Sequence, residues 1–202
     1  MTSHPIFTSV SPAFERNYRL GHIGFTYRSD SLISHGIAYF TRWTRLSDIP
    51  VSHVLIVTGA DTCVEAVKGV GVVETPLQRY FDNETIRISF REPVRLTSEL
   101  GRRIADTATS QVGADYDISL ILAQALDGSF LGRLLHRFFG EDHHLKVSDW
   151  LNHPDRWICS ELAAYALDTQ PEFHDRGILA KPDAAIEPQE LFEDTVLFKP
   201  WK

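Results

Sequence analysis

Ser52-His53-Val54-Leu55-Ile56-Val57-Thr58-Gly59 runs through Ala60-Asp61 into Thr62-Cys63-Val64-Glu65-Ala66-Val67. The first run is β-branched and reads as a buried strand. Gly59-Ala60-Asp61 reads as a turn, and the second run as the next strand. Lys68-Gly69 then turns the chain into Val70-Gly71-Val72-Val73-Glu74. Three such runs at short intervals predict an antiparallel meander. His53 and Glu65 stand six positions either side of Gly59, so a hairpin centred there sets them opposite to within a residue or two. Facing residues on one side of an antiparallel pair are close enough for their side chains to meet.

Working outward, residues 1–18 are polar with two prolines and read as an irregular lead-in. Residues 20–27 read as a first strand. Ser29-Asp30-Ser31 supplies caps for a helix over 32–45, with Ile33, Ile37, Phe40 and Trp43 on one face. That face is either ordinary core or a lip for an acyl chain. Thr75-Pro76-Leu77-Gln78 opens a short helix, and residues 84–91 alternate as a half-exposed strand. A helix over 97–112 carries Leu100, Ile104 and Ala108 on its apolar face. Residues 113–117 form a turn, followed by helices over 118–126 and 130–139. The polar stretch 140–154 reads as an insertion loop. After a further helix, 170–186 is loop, Pro188 starts a short helix, and 195–198 is a terminal strand. The expected architecture is α+β, with an antiparallel sheet or partial barrel packed against helices. One domain is expected over 19–202.

With 202 residues, 43% of them hydrophobic, the chain can bury a core without metal or disulfide staples. A net charge of −7 argues against a nucleic-acid partner and weakly against anionic membrane surfaces. Two cysteines are too few for a disulfide scaffold, which suits a reducing compartment. No signal peptide is visible at the N-terminus, and the apolar run 118–126 is too short to span a bilayer. A cytoplasmic location is therefore expected, with membrane contact left open but no integral span. No cofactor is expected, and the oligomeric state stays open.

The candidate chemistry begins at Trp157-Ile158-Cys159-Ser160-Glu161-Leu162. Cys159 falls at the first turn of a helix that ends before Pro171. A helix N-terminus offers unpaired N–H groups and a partial positive charge, which favour a thiolate and an oxyanion. Taken alone, Cys159 is better explained as a small buried hydrophobe. His53 alone reads as a structural histidine, and Glu65 as the polar face of an edge strand. Together they form one device, in which Glu65 orients His53 and His53 faces the thiol.

The order of these pieces resembles the circularly permuted NlpC-type papain-like hydrolases, particularly the YiiX-like branch, and more distantly lecithin:retinol-acyltransferase-like proteins. The matching segments are Leu20-Gly21-His22-Ile23-Gly24-Phe25, Ser52-His53-Val54, Val64-Glu65-Ala66, Gly69-Val70, Tyr116-Asp117 and Cys159-Ser160-Glu161-Leu162. The resemblance implies a permuted papain-like fold, with Cys159 as nucleophile, His53 as base and Glu65 as orienting residue. It places Tyr116, with Ser160, near the oxyanion or pocket. His22 stands where the family often has Asp. The implied activity is cysteine hydrolysis of an amide or ester carbonyl through an acyl-enzyme, with peptidase or amidase chemistry first. A thiol acyltransferase or lipid-acyl hydrolase is the close alternative, and a catalytically silent binding module the alternative of another class. The implied partners are peptide, amide or acyl-ester substrates.

Glu141, Asp142, His143, His144, Asp149, His153 and Asp155 invite a metal reading, but their spacing fits no zinc pattern, and a solvated acidic loop explains them better. Cys63 falls two residues from Glu65 and shares its face, where a buried structural role is expected. Residues 67–71 carry glycines without a phosphate-loop pattern.

Overall fold

The computed structural model describes residues 12–31, 47–116 and 156–200. Its centre is a five-stranded sheet of β1 (Ile23–Arg28), β2 (His53–Val57), β3 (Thr62–Val67), β4 (Gly71–Pro76) and β5 (Ile86–Arg91). The spatial order is β4-β3-β2-β1-β5, and every neighbouring pair is antiparallel. The expected meander is β2-β3-β4. Its first turn is centred on Ala60 rather than Gly59, because Ile56 faces Val64 and Val57 faces Cys63. The cause is local. The N–H groups of Thr58 and Gly59 both donate to Thr62 O, at 3.1 and 3.2 Å, closing a three-residue loop over 59–61. His53 and Glu65 are therefore diagonal neighbours, and the two-residue side-chain period keeps them on one face.

The two faces of the sheet bury different partners. One carries Val54, Ile56, Val64, Ala66 and Val72 with Ile23 and Phe25, beneath α2 (Ser98–Thr109), α3 (Cys159–Asp168) and α4 (Pro188–Glu193). The other carries Leu55, Val57, Cys63 and Ile88, packed with Tyr18, Leu77 and Tyr80 of the short α1 (Gln78–Phe81). Each fully buried Leu, Ile or Phe contributes about 1.5–3 kcal/mol through removal from water. Thr97 caps α2 by accepting from Leu100 N–H at 3.1 Å, and the predicted face Leu100, Ile104 and Ala108 is buried. This helix sits directly on the turn before β1. A Cβ on Gly101 would lie 2.4 Å from Leu20 O, so only glycine allows the approach.

The described part of the lead-in, residues 12–18, holds neither helix nor strand element, but it packs on the sheet: Tyr18 is buried, bridges to Phe14 and donates its hydroxyl to Ala60 O at 2.7 Å. One expectation needs correcting. The strand over 195–198 is instead a single bridge between Pro93 and Phe198. Pro93 has no N–H with which to extend a ladder. The Asp194 carboxylate meanwhile takes the N–H groups of Val196 and Leu197, both at 2.7 Å, and so turns the chain.

The predicted turn over 113–117 contains β6 (Asp115–Tyr116), paired in parallel with β7 (Arg156–Trp157) beside the edge of β4. Within the expected loop 170–186 lie two 3-10 turns, Gly177–Ala180 and Asp183–Ala185. The helices expected over 32–45, 118–126 and 130–139, and the 140–154 loop, lie outside the described residues. Among the described residues, no helix is long and apolar enough to cross a membrane. The chain is an α+β protein whose sheet carries helices on both faces.

Candidate active site

His53 is the first residue of β2, where the hairpin ladder has come apart. Val57 N–H donates to His22 O at 2.9 Å, so the odd residues of β2 turn their N–H groups toward β1. Alternation sends the N–H of Val54 toward β3. The β2-β3 register covers only Ile56 and Val57, however, so β3 does not take it. The Val54 N–H instead favours the anionic form of Cys159.

Cys159 opens α3 and is 7% exposed. Ile158 N–H donates to the Glu161 carboxylate at 3.2 Å, which fixes the first turn. The rest of the helix is small and apolar, with Leu162, Ala163, Ala164, Ala166 and Leu167 all buried against the sheet. The Ser160 N–H and the His53 ring likewise favour its anion. Burial alone would raise this thiol. The charge and hydrogen bond of His53, with the N–H groups of Val54 and Ser160, outweigh burial and hold it below the usual cysteine range.

Behind the ring, His53 Nε2 donates to Glu65 Oε2 at 2.5 Å. Burial opposes a charged imidazole. The negative charge and hydrogen bond of Cys159, and then those of Glu65, overcome it and push His53 up to about 10. Glu65 is 1% exposed on β3, an interior strand, so it is no edge-strand surface residue. Burial would protonate it. The hydrogen bond and charge of His53, joined by the Tyr80 and Thr75 hydroxyls, hold it down to about 2. These groups make a continuous chain: thiolate, imidazolium, carboxylate. Such a chain can deliver a nucleophile and a proton to the same carbonyl. It also straddles the sheet, with the sulfur on the α3 face and the carboxylate supported from the α1 face.

The structure thus brings Cys159, His53 and Glu65 together. Ser160 is fully buried and its hydroxyl has no hydrogen-bond partner, so its contribution at the sulfur is its backbone N–H. Tyr116 is placed by its backbone, paired with Trp157 two residues before Cys159. His22 lies at the far end of the β1-β2 pairing from His53, which faces Thr26. Cys63 donates to Thr75 O at 3.4 Å and sits in the core of the α1 face, the structural position expected. The His- and acid-rich cluster of 141–155 lies outside the described residues. Elsewhere, Asp168, His174 and Asp175 place one ligand atom each within 4.8 Å of one another. There the His174 ring already meets Asp168 Oδ2 at 3.2 Å.

Sequence reasoning missed Tyr80, whose hydroxyl donates to the same Glu65 oxygen that holds His53. The available signal was position: a tyrosine in the short helix right after the strand that pairs with the glutamate-bearing one. It also missed the Val54 N–H, which no side-chain pattern marks. Compared with known proteins, the chain matches no family model and no curated protein.

Proposed function

We propose that this protein is a cysteine hydrolase that attacks an amide or ester carbonyl through Cys159, His53 and Glu65. The observation that carries the proposal is the paired state of Cys159: a buried sulfur bonded by an imidazole that is itself anchored on a buried carboxylate. The order of strand histidine, strand glutamate and helix-start cysteine supports a permuted papain-like arrangement of the NlpC type.

In this mechanism the thiolate adds to the carbonyl carbon, and the carbonyl oxygen becomes an oxyanion near the start of α3. N–H groups at a helix start stabilise such an oxyanion. His53 gives its proton to the leaving amine or alcohol, and an acyl-enzyme remains on Cys159. His53, now neutral, takes a proton from water, which attacks the thioester. The acid is released and the thiolate-imidazolium pair is restored. Glu65 keeps the ring proton on Nε2 and stabilises the imidazolium throughout, without itself taking the proton.

The test is intact mass after mixing with a panel of activated acyl esters and peptide amides. An acyl adduct on Cys159 that turns over in wild type and is missing in Cys159→Ala is the expected result. Turnover that survives Cys159→Ala overturns the proposal. So does the lack of any adduct with every acyl donor, which would make the protein a binding module.

A further inference from the structure

We propose that Tyr80 is a positioning residue of this site: its hydroxyl, delivered from the face of the sheet opposite the sulfur, pins the Glu65 oxygen that holds His53. The inference rests on the reading of Cys159, His53 and Glu65 as one device, and goes beyond it by assigning a fourth member.

Glu65 Oε2 accepts from two groups on different elements, His53 Nε2 on β2 and the Tyr80 hydroxyl on α1. Two donors converging on one oxygen fix the plane of a carboxylate that a single bond would leave free to swing. Tyr80 is 7% exposed and locked in the aromatic and aliphatic cluster of Tyr18, Leu55, Leu77 and Ile88. Its own N–H donates to Leu77 O at 2.9 Å, which fixes the backbone that carries the ring. The polarity of the bond is also fixed. Burial and the charge of Glu65 drive the phenol above its usual range, so the hydroxyl always donates. The titratable and charged groups around this pair are Cys63 on β3, Arg79 on α1 and His53 on β2, with Cys159 beyond the ring. Of the groups that hydrogen-bond Glu65 Oε2, His53 carries a charge and Tyr80 is neutral.

Removing the hydroxyl should therefore matter most when protons compete for Glu65. At low pH the carboxylate protonates sooner, the imidazolium loses its anchor, and the thiolate is lost with it. From about pH 6 upward, Glu65 stays ionised in both proteins and the effect fades. Tyr80 lies on the far side of the sheet from the sulfur, so substrate affinity is untouched.

The experiment is the pH profile of Cys159 alkylation by iodoacetamide, read by peptide mass in wild type and Tyr80→Phe. Losing one hydrogen bond to a charged group raises Glu65 from about 2 by about one to two pH units, so the variant is expected to label up to about tenfold slower at about pH 3, and within about twofold at about pH 6 and above. Kinetically, kcat falls in the same acid range and KM does not change. In a Glu65→Gln background, adding Tyr80→Phe should change nothing further, because its action runs through that carboxylate. A profile that is unchanged, or lowered equally at every pH, overturns the proposal, as does further slowing in the Glu65→Gln background. Should Tyr80→Phe fail to fold, the wild-type protein decides: its Tyr80 hydroxyl proton must exchange slowly with water by NMR, and fast exchange overturns the assignment. Alkylation needs no substrate, so a protein that labels as described but turns over no acyl donor refutes the proposed hydrolase and leaves Tyr80 judged on its own data.

Discussion

Cys63 and Cys159 are both free, buried thiols close to the same glutamate, and their acidities move in opposite directions. Cys63 shares the α1 face with Glu65. Burial and then the negative charge of Glu65 push it well above the ordinary cysteine range. Cys159 is also buried, but an imidazolium stands between it and Glu65, and the backbone N–H groups of Val54 and Ser160 favour its anion. One carboxylate thus suppresses one thiolate directly and supports the other through a histidine. The histidines repeat the contrast along β1 and β2. His53 is bonded on both sides and is pushed up to about 10. His22 is 7% exposed, and neither ring nitrogen has a hydrogen-bond partner. Burial drives it down to about 4, against a partly compensating pull from Glu92. Burial opposes the charged form of all four groups. At Cys63 and His22 it sets the direction, and at Cys159 and His53 an oppositely charged partner reverses it.

The sharpest way to break the comparison of the thiols is His53→Ala. Cys159 then loses its cation and should behave like Cys63, with alkylation at about pH 6 slowed on the order of a thousandfold. Intact-mass kinetics read this directly, and a loss below about tenfold would contradict it. The histidine contrast predicts a pH effect on stability. The folded pKa of His22 lies below the unfolded value, so the unfolded chain binds the extra proton between about 6.5 and about 4. Stability should fall as pH drops through that window, by up to about 3 kcal/mol from this group. His22→Leu should lessen that slope in denaturant melts at several pH values, and an identical slope would refute the assignment.

Glu65→Gln should move the two thiols in opposite senses, toward each other. Cys159 labels about tenfold more slowly as its imidazolium loses support. Cys63 loses its repelling charge, and its pKa should come down. Movement of both in one direction would show that the carboxylate acts on them by some other route. The smallest effect is expected from Cys63→Ala, which should leave Cys159 labelling within about twofold, since Cys63 spends its one bond on Thr75 O.

Much of this arrangement is legible in the residues. The run 62–67 is read with its true bounds because a β-branched stretch between two turn signals admits little else. Leu100, Ile104 and Ala108 mark the buried face of α2 by their spacing, and Cys159 starts its helix as expected. What is not legible depends on atoms the alphabet does not spell. The hairpin centre moved from Gly59 to Ala60 because backbone N–H groups at 58 and 59 converge on one carbonyl. The strand expected over 195–198 failed because Asp194 captures the N–H groups that a ladder needs. Tyr80 was passed over because a tyrosine in a four-residue helix carries no periodic signal, and only the fold shows which carboxylate it meets.

The most direct test is the ultraviolet thiolate absorbance of the folded protein, titrated against pH and differenced against Cys159→Ala. One thiolate should be present at about pH 6, well under the ordinary cysteine range, and should vanish in His53→Ala. If no thiolate appears until the solution passes the pKa of free cysteine, or if the signal survives without His53, Cys159 is not held as the anion of a pair and the catalytic account falls.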